Sequence, residues 1–300
     1  LGATIEDSVS TALRQPIFLS IRLLMPAARR AIPHFPGASA AASRSDPTAS
    51  SLYVRSIEKA MSVLTAFDGT KRQLSLSEIA ELAALDLSAT QRFTYTLATL
   101  GYLVKDAASR KYELSVRLLN FTDHFLSCND LVIRATPYLQ QLGLETEEAT
   151  NLTVLDGTDI VFVLRIVSRN VLNPNVHVGT RLPAYCTALG QAILATFDDG
   201  EIDDLLAASD LVAHTPSTRT TPHRIKARLT DVRAKGYAHT KDEFFPGDIS
   251  TAAAVRGAGG RAIGAVNVAM SPPRWDGRNE HRVAGLVMST AEAISPHRKP

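Results

Sequence analysis

The apolar positions of this chain follow two periods, one helical and one of strands. Val54, Ile57, Met61 and Leu64 recur at 3-4-3 spacing, the apolar face of an amphipathic helix that Asp68-Gly69 ends. Ser75-Leu76-Ser77-Glu78 has the form of a capping box, in which the Ser75 hydroxyl accepts from the amide of Glu78 and the Glu78 carboxylate reaches back. The helix behind it turns Ile79 and Leu82 inward. After a break at 85–87, Ser88-Ala89-Thr90-Gln91 repeats the pattern and opens a third helix to Leu100, burying Phe93, Leu97 and Leu100 and stopping at Gly101. Residues 102–104 and 111–114 read as two short strands around the polar turn 106–110. Three helices and a small hairpin outline a winged helix-turn-helix.

A further helix runs from Val116 towards Cys128, and another covers 131–144, where Pro137 is tolerable only in a first turn or at a kink. Beyond it, short strands alternate with helices. Residues 151–155 and 160–166 are apolar runs split by Asp156-Gly157-Thr158-Asp159, a hairpin signal. Helices are predicted over 187–197, 201–208, 222–235 and 282–294, and strands over 237–240, 249–255 and 262–269. The fold class is therefore α+β, with a mostly antiparallel sheet in the second half. The domains expected are a disordered tail over 1–50, a winged helix-turn-helix over 51–115, a linker helix over 116–130 and a second domain over 131–298.

Charge adds a direction to this outline. Residues 51–120 hold nine Lys and Arg against seven acids, and 121–300 hold 18 against 20, so the front is mildly basic and the back mildly acidic. That permits nucleic-acid contact through the front. A membrane span needs about 20 consecutive apolar residues; the best stretch, 17–25, is shorter and is interrupted by Arg22. No membrane association is expected. The two cysteines, Cys128 and Cys186, lie far apart, which argues against a disulfide scaffold and fits a reducing cytoplasm. Residues 1–50 begin at Leu rather than Met, are rich in Ala, Ser, Pro and Arg, and read as a tail or a miscalled extension with a loose likeness to a transit peptide.

The candidate chemistry divides between the halves. The third helix offers Thr90, Gln91, Arg92, Thr94 and Tyr95 as hydrogen-bonding side chains, with Arg92 able to fork onto a guanine edge. Lys105, Arg110 and Lys111 flank the hairpin tip, where a wing meets phosphates. The bland alternative is a small helical domain with a solvated polar face. In the second half, Gly257-Ala258-Gly259-Gly260-Arg261-Ala262 approximates a dinucleotide fingerprint, but a strand follows it, so a hairpin turn is the better reading. Cys186 with His177 or His239 forms a possible nucleophile and base, although a cysteine is commonly a small buried apolar residue. Asp242, Glu243 and His239 have no strong metal-ligand spacing, so neither metal nor cofactor is expected. A pocket for a small carboxylic acid is the stronger reading. The amides at the start of the 187–197 helix can hold a carboxylate, Tyr185, Cys186 and Thr187 form one wall, and Arg181 or His177 adds charge. Plain packing is the competing reading for Tyr185 and Asn267.

The order of these features resembles the IclR family of bacterial transcription regulators over residues 52–295. The resemblance is carried by SLSEIAELA, RFTYTLATLGYLVKD, VGTRLPAYCTALGQAILA, GYAHTKDEFFPGDISTAAAV and GRAIGAVNVAM. It implies a winged helix, a linker helix and a GAF-like effector domain, acting on operator DNA as a homodimer or tetramer to repress or activate a catabolic operon. In the resembled family the segment after Pro183 and the loop 244–250 line the effector site, which carries Ala188, Leu189, Ser250 and Asn267 over as effector-binding residues. Arg92-Phe93, Thr96-Leu97 and Leu100-Gly101-Tyr102 look like the branch that regulates aromatic-acid catabolism. Gln91, Thr94 and Tyr95 depart from that branch, which has Arg and leucines there. The other classes that the residues leave open are an enzyme on a small carboxylate, using Cys186 or the Asp242–Glu243 pair, and an interaction protein whose winged helix contacts protein.

Because residues 1–50 lack apolar periodicity, their removal is expected to leave DNA affinity and melting temperature unchanged. A fall of several degrees on thermal denaturation of the truncated protein would show that the tail takes part in the fold.

Overall fold

A computed structural model describes residues 47–169 and 176–296; most of the expected tail, and the last residues of the expected second domain, lie outside the described residues. The chain divides into two compact units at residue 134.

In the first unit, α1 (Arg55–Thr65), α2 (Leu76–Leu82) and α3 (Leu87–Thr99) pack around Val63, Leu74, Ile79, Leu97, Leu103 and Tyr112. The capping box at Ser75 forms as its residues dictate. The Glu78 amide reaches the Ser75 hydroxyl at 3.3 Å, and the Glu78 carboxylate accepts from the Ser75 amide at 2.8 Å. Lys71 hydrogen-bonds the same carboxylate and, with these partners, holds its pKa down at about 2. α3 ends in a Schellman motif. The Tyr102 amide returns to the Leu97 carbonyl and the Gly101 amide to Ala98, with Gly101 at φ +82°. β1 (Leu103–Lys105) and β2 (Tyr112–Leu114) then pair antiparallel. A short 3-10 turn leads into α4 (Leu119–Ser127), whose Phe121 ring stacks on Tyr102 at 5.7 Å.

Three sequence expectations change here. The cap of α3 is Asp86, not Ser88: its carboxylate accepts from the Ala89 amide at 2.7 Å, so the helix begins two residues earlier. On α1 the buried stripe is Val63 with the half-buried Leu64, while Val54, Ile57 and Met61 are exposed. The helix carries two apolar stripes, and only one fits the small core. Leu82 and Leu100 are exposed for the same reason, and the Leu100 carbonyl accepts from Arg117 at 2.9 Å.

α5 (Asp130–Thr146) starts where the Asn129 side chain accepts from the amides of Leu131 and Val132. Pro137 lies in its interior rather than in its first turn. The second unit is then built on a six-stranded antiparallel sheet. β3 (Ala149–Asp156) and β4 (Asp159–Ile166) form a hairpin through the two-residue turn Gly157-Thr158, with Gly157 at φ +63°. β5 (Arg181–Pro183) adds to the free side of β4 and leads through a 3-10 turn into α6 (Ala188–Leu194). α7 (Asp199–Ala208) and α8 (Pro222–Lys235) precede β6 (Ala238–Lys241), β7 (Ile249–Arg256) and β8 (Ala262–Met270). The strand order is β5-β4-β3-β8-β7-β6. The segment 257–260 turns β7 into β8, with the Gly257 amide bonded to the Arg261 carbonyl at 2.8 Å, which is the hairpin expected in place of a dinucleotide loop. α9 (Glu280–Ile294) packs on β7 and β8 and buries Val283, Val287, Ala291 and Ile294.

α6 is buried along its whole length and lies against β6, β7 and β8. It sits this close because Gly190 has no side chain: a Cβ there would lie 2.2 Å from the Ala184 carbonyl oxygen. Gly190→Ala is therefore expected to cost roughly 1–3 kcal/mol in urea unfolding, the usual range for overpacking. Gly259→Ala, which meets open space in the β7–β8 turn, is expected to change little.

Candidate functional site

The exposed face of α3 is a single stripe. Ser88, Gln91, Arg92 and Tyr95 stand at i, i+3, i+4 and i+7, all exposed, with Tyr95 71% accessible. Thr90 and Thr94 do not belong to it. Both are fully buried beside Phe93 and Leu97, correcting the expectation that they face outward. Their hydroxyls are satisfied within the helix, Thr90 by the Asp86 carbonyl at 2.8 Å and Thr94 by the Thr90 carbonyl at 2.9 Å. Thr90, Thr94 and Leu97 stand at i, i+4 and i+7, so the two threonines share the buried face, and with Asp86 as the cap Ser88 is left exposed on the other. Lys105, Arg110 and Lys111 are exposed around the β1–β2 turn, with Lys105 5.3 Å from the centre of the Tyr112 ring. Arg110 takes φ +60°, and its amide donates to the Asp106 carbonyl, so the turn is tight. A helix with an exposed polar stripe next to a basic hairpin matches the geometry with which winged helices meet a duplex.

The second unit holds a cleft between the sheet and α6. Its floor is a row of hydrogen-bonded side chains that crosses four strands. Arg165 on β4 donates to Asn151 Oδ1 at 3.0 Å; Asn151 Nδ2 on β3 donates to Asn267 Oδ1 at 2.8 Å; Asn267 Nδ2 on β8 donates to the Ser250 hydroxyl on β7 at 2.8 Å. Asn151 stands opposite both Arg165 and Asn267 in the strand register. A β-bulge makes the row possible. Leu152 pairs with Leu164 and Thr153 with Phe162, so Val163 is the extra residue, and Phe162 and Arg165 both reach the cleft. Strict alternation would have put them on opposite faces.

Of the expected effector residues, Cys186, Thr187, Ala188, Leu189, Ser250 and Asn267 line the cleft. Tyr185 is not among the lining residues. It is buried in the core, and its hydroxyl donates to the Val212 carbonyl at 2.5 Å. Arg181 is bound to Asp156 at 2.5 Å and Asp159 at 3.3 Å, and His177 is exposed away from the lining, so neither brings charge to it. The start of α6 is also less available than expected: the helix has seven residues, and its Gly190 amide is taken by Thr187 Oγ1 at 3.2 Å. The cation of the cleft is Arg165, which burial weakens as a base and the charge of Asp248 sustains. Arg165 and Asn151 are polar lining residues the sequence reading missed, while Asp248 lies in the loop 244–250 that it placed at the site. Only the Asn151–Asn267 pairing of two polar residues in apolar strands hinted at them.

The loop 242–248 closes one end of the cleft and is fixed from several sides. The hydroxyls of Thr215 and Thr218 donate to the carbonyls of Asp242 and Glu243. The Glu243 carboxylate binds Arg219 and accepts from Gln191 on α6 at 3.0 Å. Asp242 accepts from the Gly247 amide at 2.6 Å. Asp242 and Glu243 are thus structural acids here. His239 bonds Thr251 at 3.0 Å and stacks on Trp275. Among the described residues no group of three His, Cys, Asp or Glu could hold a metal ion. Burial pushes the Cys186 thiol up to about 12, which leaves it protonated and unfit as a nucleophile near neutral pH.

A helix-turn-helix with a basic hairpin, joined in one chain to a separate domain with a polar cleft, defines a ligand-responsive DNA-binding regulator as its class. Comparison with known proteins gives the family. The IclR helix-turn-helix domain matches residues 56–107, and the bacterial transcriptional regulator IclR C-terminal domain matches residues 123–296. The Pca regulon regulatory protein of Pseudomonas putida is 33% identical over 217 residues, 72% of this chain and 74% of that protein. The structure of an IclR transcriptional regulator from Alicyclobacillus acidocaldarius superposes with a TM-score of 0.72 at 25% identity, covering 81% of this chain and 98% of that one. An IclR homologue from Microbacterium hydrocarbonoxydans, in complex with 4-hydroxybenzoate, shares the fold with a TM-score of 0.68 at 20% identity, over 80% and 97% of the two chains. The chain belongs to the IclR family of transcriptional regulators. It is a DNA-binding transcription regulator. Among the described residues no helix is long and apolar enough to cross a membrane.

The two thiols should behave differently. Cys128 is exposed and Cys186 buried. A thiol reagent at neutral pH is expected to modify one cysteine in the folded protein and two in guanidinium; rapid modification of both in the native state would contradict the enclosure of Cys186.

Proposed function

We propose that this protein controls a catabolic operon for an aromatic acid, reading operator DNA with its front domain and sensing a small carboxylic acid in the cleft. The observation that carries the sensing half is the Arg165–Asn151–Asn267–Ser250 row: a partly buried guanidinium in a cleft with apolar walls suits a carboxylate, and the amides and hydroxyl beside it orient one. The related proteins support an aromatic ligand, since one is named for the pca regulon and another binds 4-hydroxybenzoate. In this reading residues 51–115 contact DNA, 116–130 form a linker and 131–298 bind the effector. Base contacts come from Gln91, Arg92 and Tyr95, with Ser88 beside them, and phosphate contacts from Lys105, Arg110 and Lys111. The protein acts as a homodimer or tetramer, which sets two recognition helices on half-sites about one helical turn, or a multiple of it, apart. The ligand alters DNA affinity by preferring one arrangement of the linked domains.

Gel shifts on the intergenic DNA beside its own gene test both halves. Arg92→Ala is expected to weaken specific binding by about 1–3 kcal/mol and to relax base preference. Lys111→Ala weakens specific and random DNA alike and lowers the salt slope by about one. Equal losses on both DNAs for Arg92→Ala would remove its base-reading role. In the same assay Arg165→Gln abolishes the response to a panel of benzoate-type acids while basal DNA binding stays within a few-fold. A full response in that variant would move the acid site elsewhere.

A further inference from the structure

Asp248 lines the same cleft as Arg165 and sits where the 242–248 loop enters β7. The charges acting on it are Arg165, reaching over from β4, and Asp242 in its own loop. Cys186, on the wall before α6, is the further titratable group lining the cleft and keeps its proton. The neighbouring β-strand residues Thr240, Ser250 and Asn267 are polar but neutral. Among the described residues the lining therefore holds one guanidinium and one carboxyl. An acid that enters as a mono-anion puts two carboxylates against that single cation, in a site where burial already disfavours charge. A buried charge without compensation neutralises instead, and two carboxyls that share a site hold a proton between them.

We propose that Asp248 takes up a proton from solvent when a carboxylate effector binds, and donates it in a hydrogen bond to the effector while Arg165 holds the effector's charge. This rests on the acid-binding reading of the cleft and makes Asp248 the residue that restricts the cleft to mono-anions. The ligand-free site is poised for the change, because burial and the Asp242 charge push Asp248 up to about 7 against the opposing pull of Arg165. A bound anion raises it further. The sign follows directly: affinity is fully present below about pH 7 and is lost as pH rises through that value, by up to about tenfold per unit. A neutral amide of the same acid brings no proton and binds weakly. A di-anion needs a second proton and is excluded.

Calorimetry on the full chain at about pH 8, with benzoate and 4-hydroxybenzoate as probes, tests this in phosphate and in Tris buffers, whose heats of ionisation differ. Both probes are expected to take up close to one proton per site and to lose up to about tenfold in affinity for each pH unit above neutrality. Asp248→Asn, which keeps the shape and a donor but cannot titrate, is expected to bind with buffer-independent heat and an affinity flat in pH. The proton count on the unmodified protein needs no variant, so poor folding of Asp248→Asn leaves the test standing. Binding without proton uptake, or uptake with 4-hydroxybenzoate alone, overturns the proposal and leaves the acid site intact. Failure of every acid in a broad panel to bind overturns the acid-binding reading and this proposal together.

Discussion

The 2.8 Å hydrogen bond between Asn151 and Asn267 ties together the two middle strands of the sheet, and the ligand-facing half of the molecule is arranged around it. Both side chains are buried, and a buried amide left unpaired costs about 1–3 kcal/mol. Each must therefore find partners on the same face. Asn151 finds Arg165 on one side and Asn267 finds Ser250 on the other, which spreads the requirement over β4, β3, β8 and β7. The result is a polar strip in a cleft otherwise walled by Ile160, Phe162, Val176 and Leu189. α6 and the loop 242–248 complete the enclosure. Their own polar contacts, through Gln191, Glu243 and Arg219, keep that loop from collapsing into the space it closes.

Much of this was legible from sequence because it is encoded locally. The Ser75 capping box, the Gly101 stop, the Gly157 hairpin and the 257–260 turn depend on residues within five positions of one another, and the structure has each of them. Cys186 and Thr187 follow from the helix start they precede, Ala188, Leu189, Ser250 and Asn267 from resemblance to a family, and all six line one cleft. What sequence reading lost were matters of phase. Periodicity identified the helix α3 and its inward Leu97, but Thr90, Thr94 and Leu97 stand at i, i+4 and i+7, and the polarity of the two threonines masked that they share the buried face, their hydroxyls being satisfied by backbone carbonyls. Arg165 was hidden by a single unpaired residue in the middle of a strand. Tyr185 was placed correctly in the chain but points into the core, because Val212 offers its hydroxyl a carbonyl.

The front unit shows the limit that a small core sets. Its buried cluster is satisfied by one stripe of α1, and Val54, Ile57 and Met61 are left accessible, as are Val116 in the turn before α4 and Leu119, Phe121 and Phe125 along it. In an isolated domain that much apolar surface is unfavourable. In the homo-oligomer proposed above such stripes would gain a use, and pairing of subunits through them would be coupled to the spacing of the two recognition helices.

The bulge at Val163 makes β4 tolerant of a change in its length. Val163 is the one residue of the strand without a partner opposite, so the strand can lose it without losing its frame. With Val163 gone, Phe162 stays opposite Thr153 and Arg165 opposite Asn151, the two stand two positions apart, and both keep their face while the local kink and extra twist disappear. The same loss inside a regular stretch, such as the middle of β3, would turn over every side chain beyond it. A spare position thus stands guard over the placement of the guanidinium.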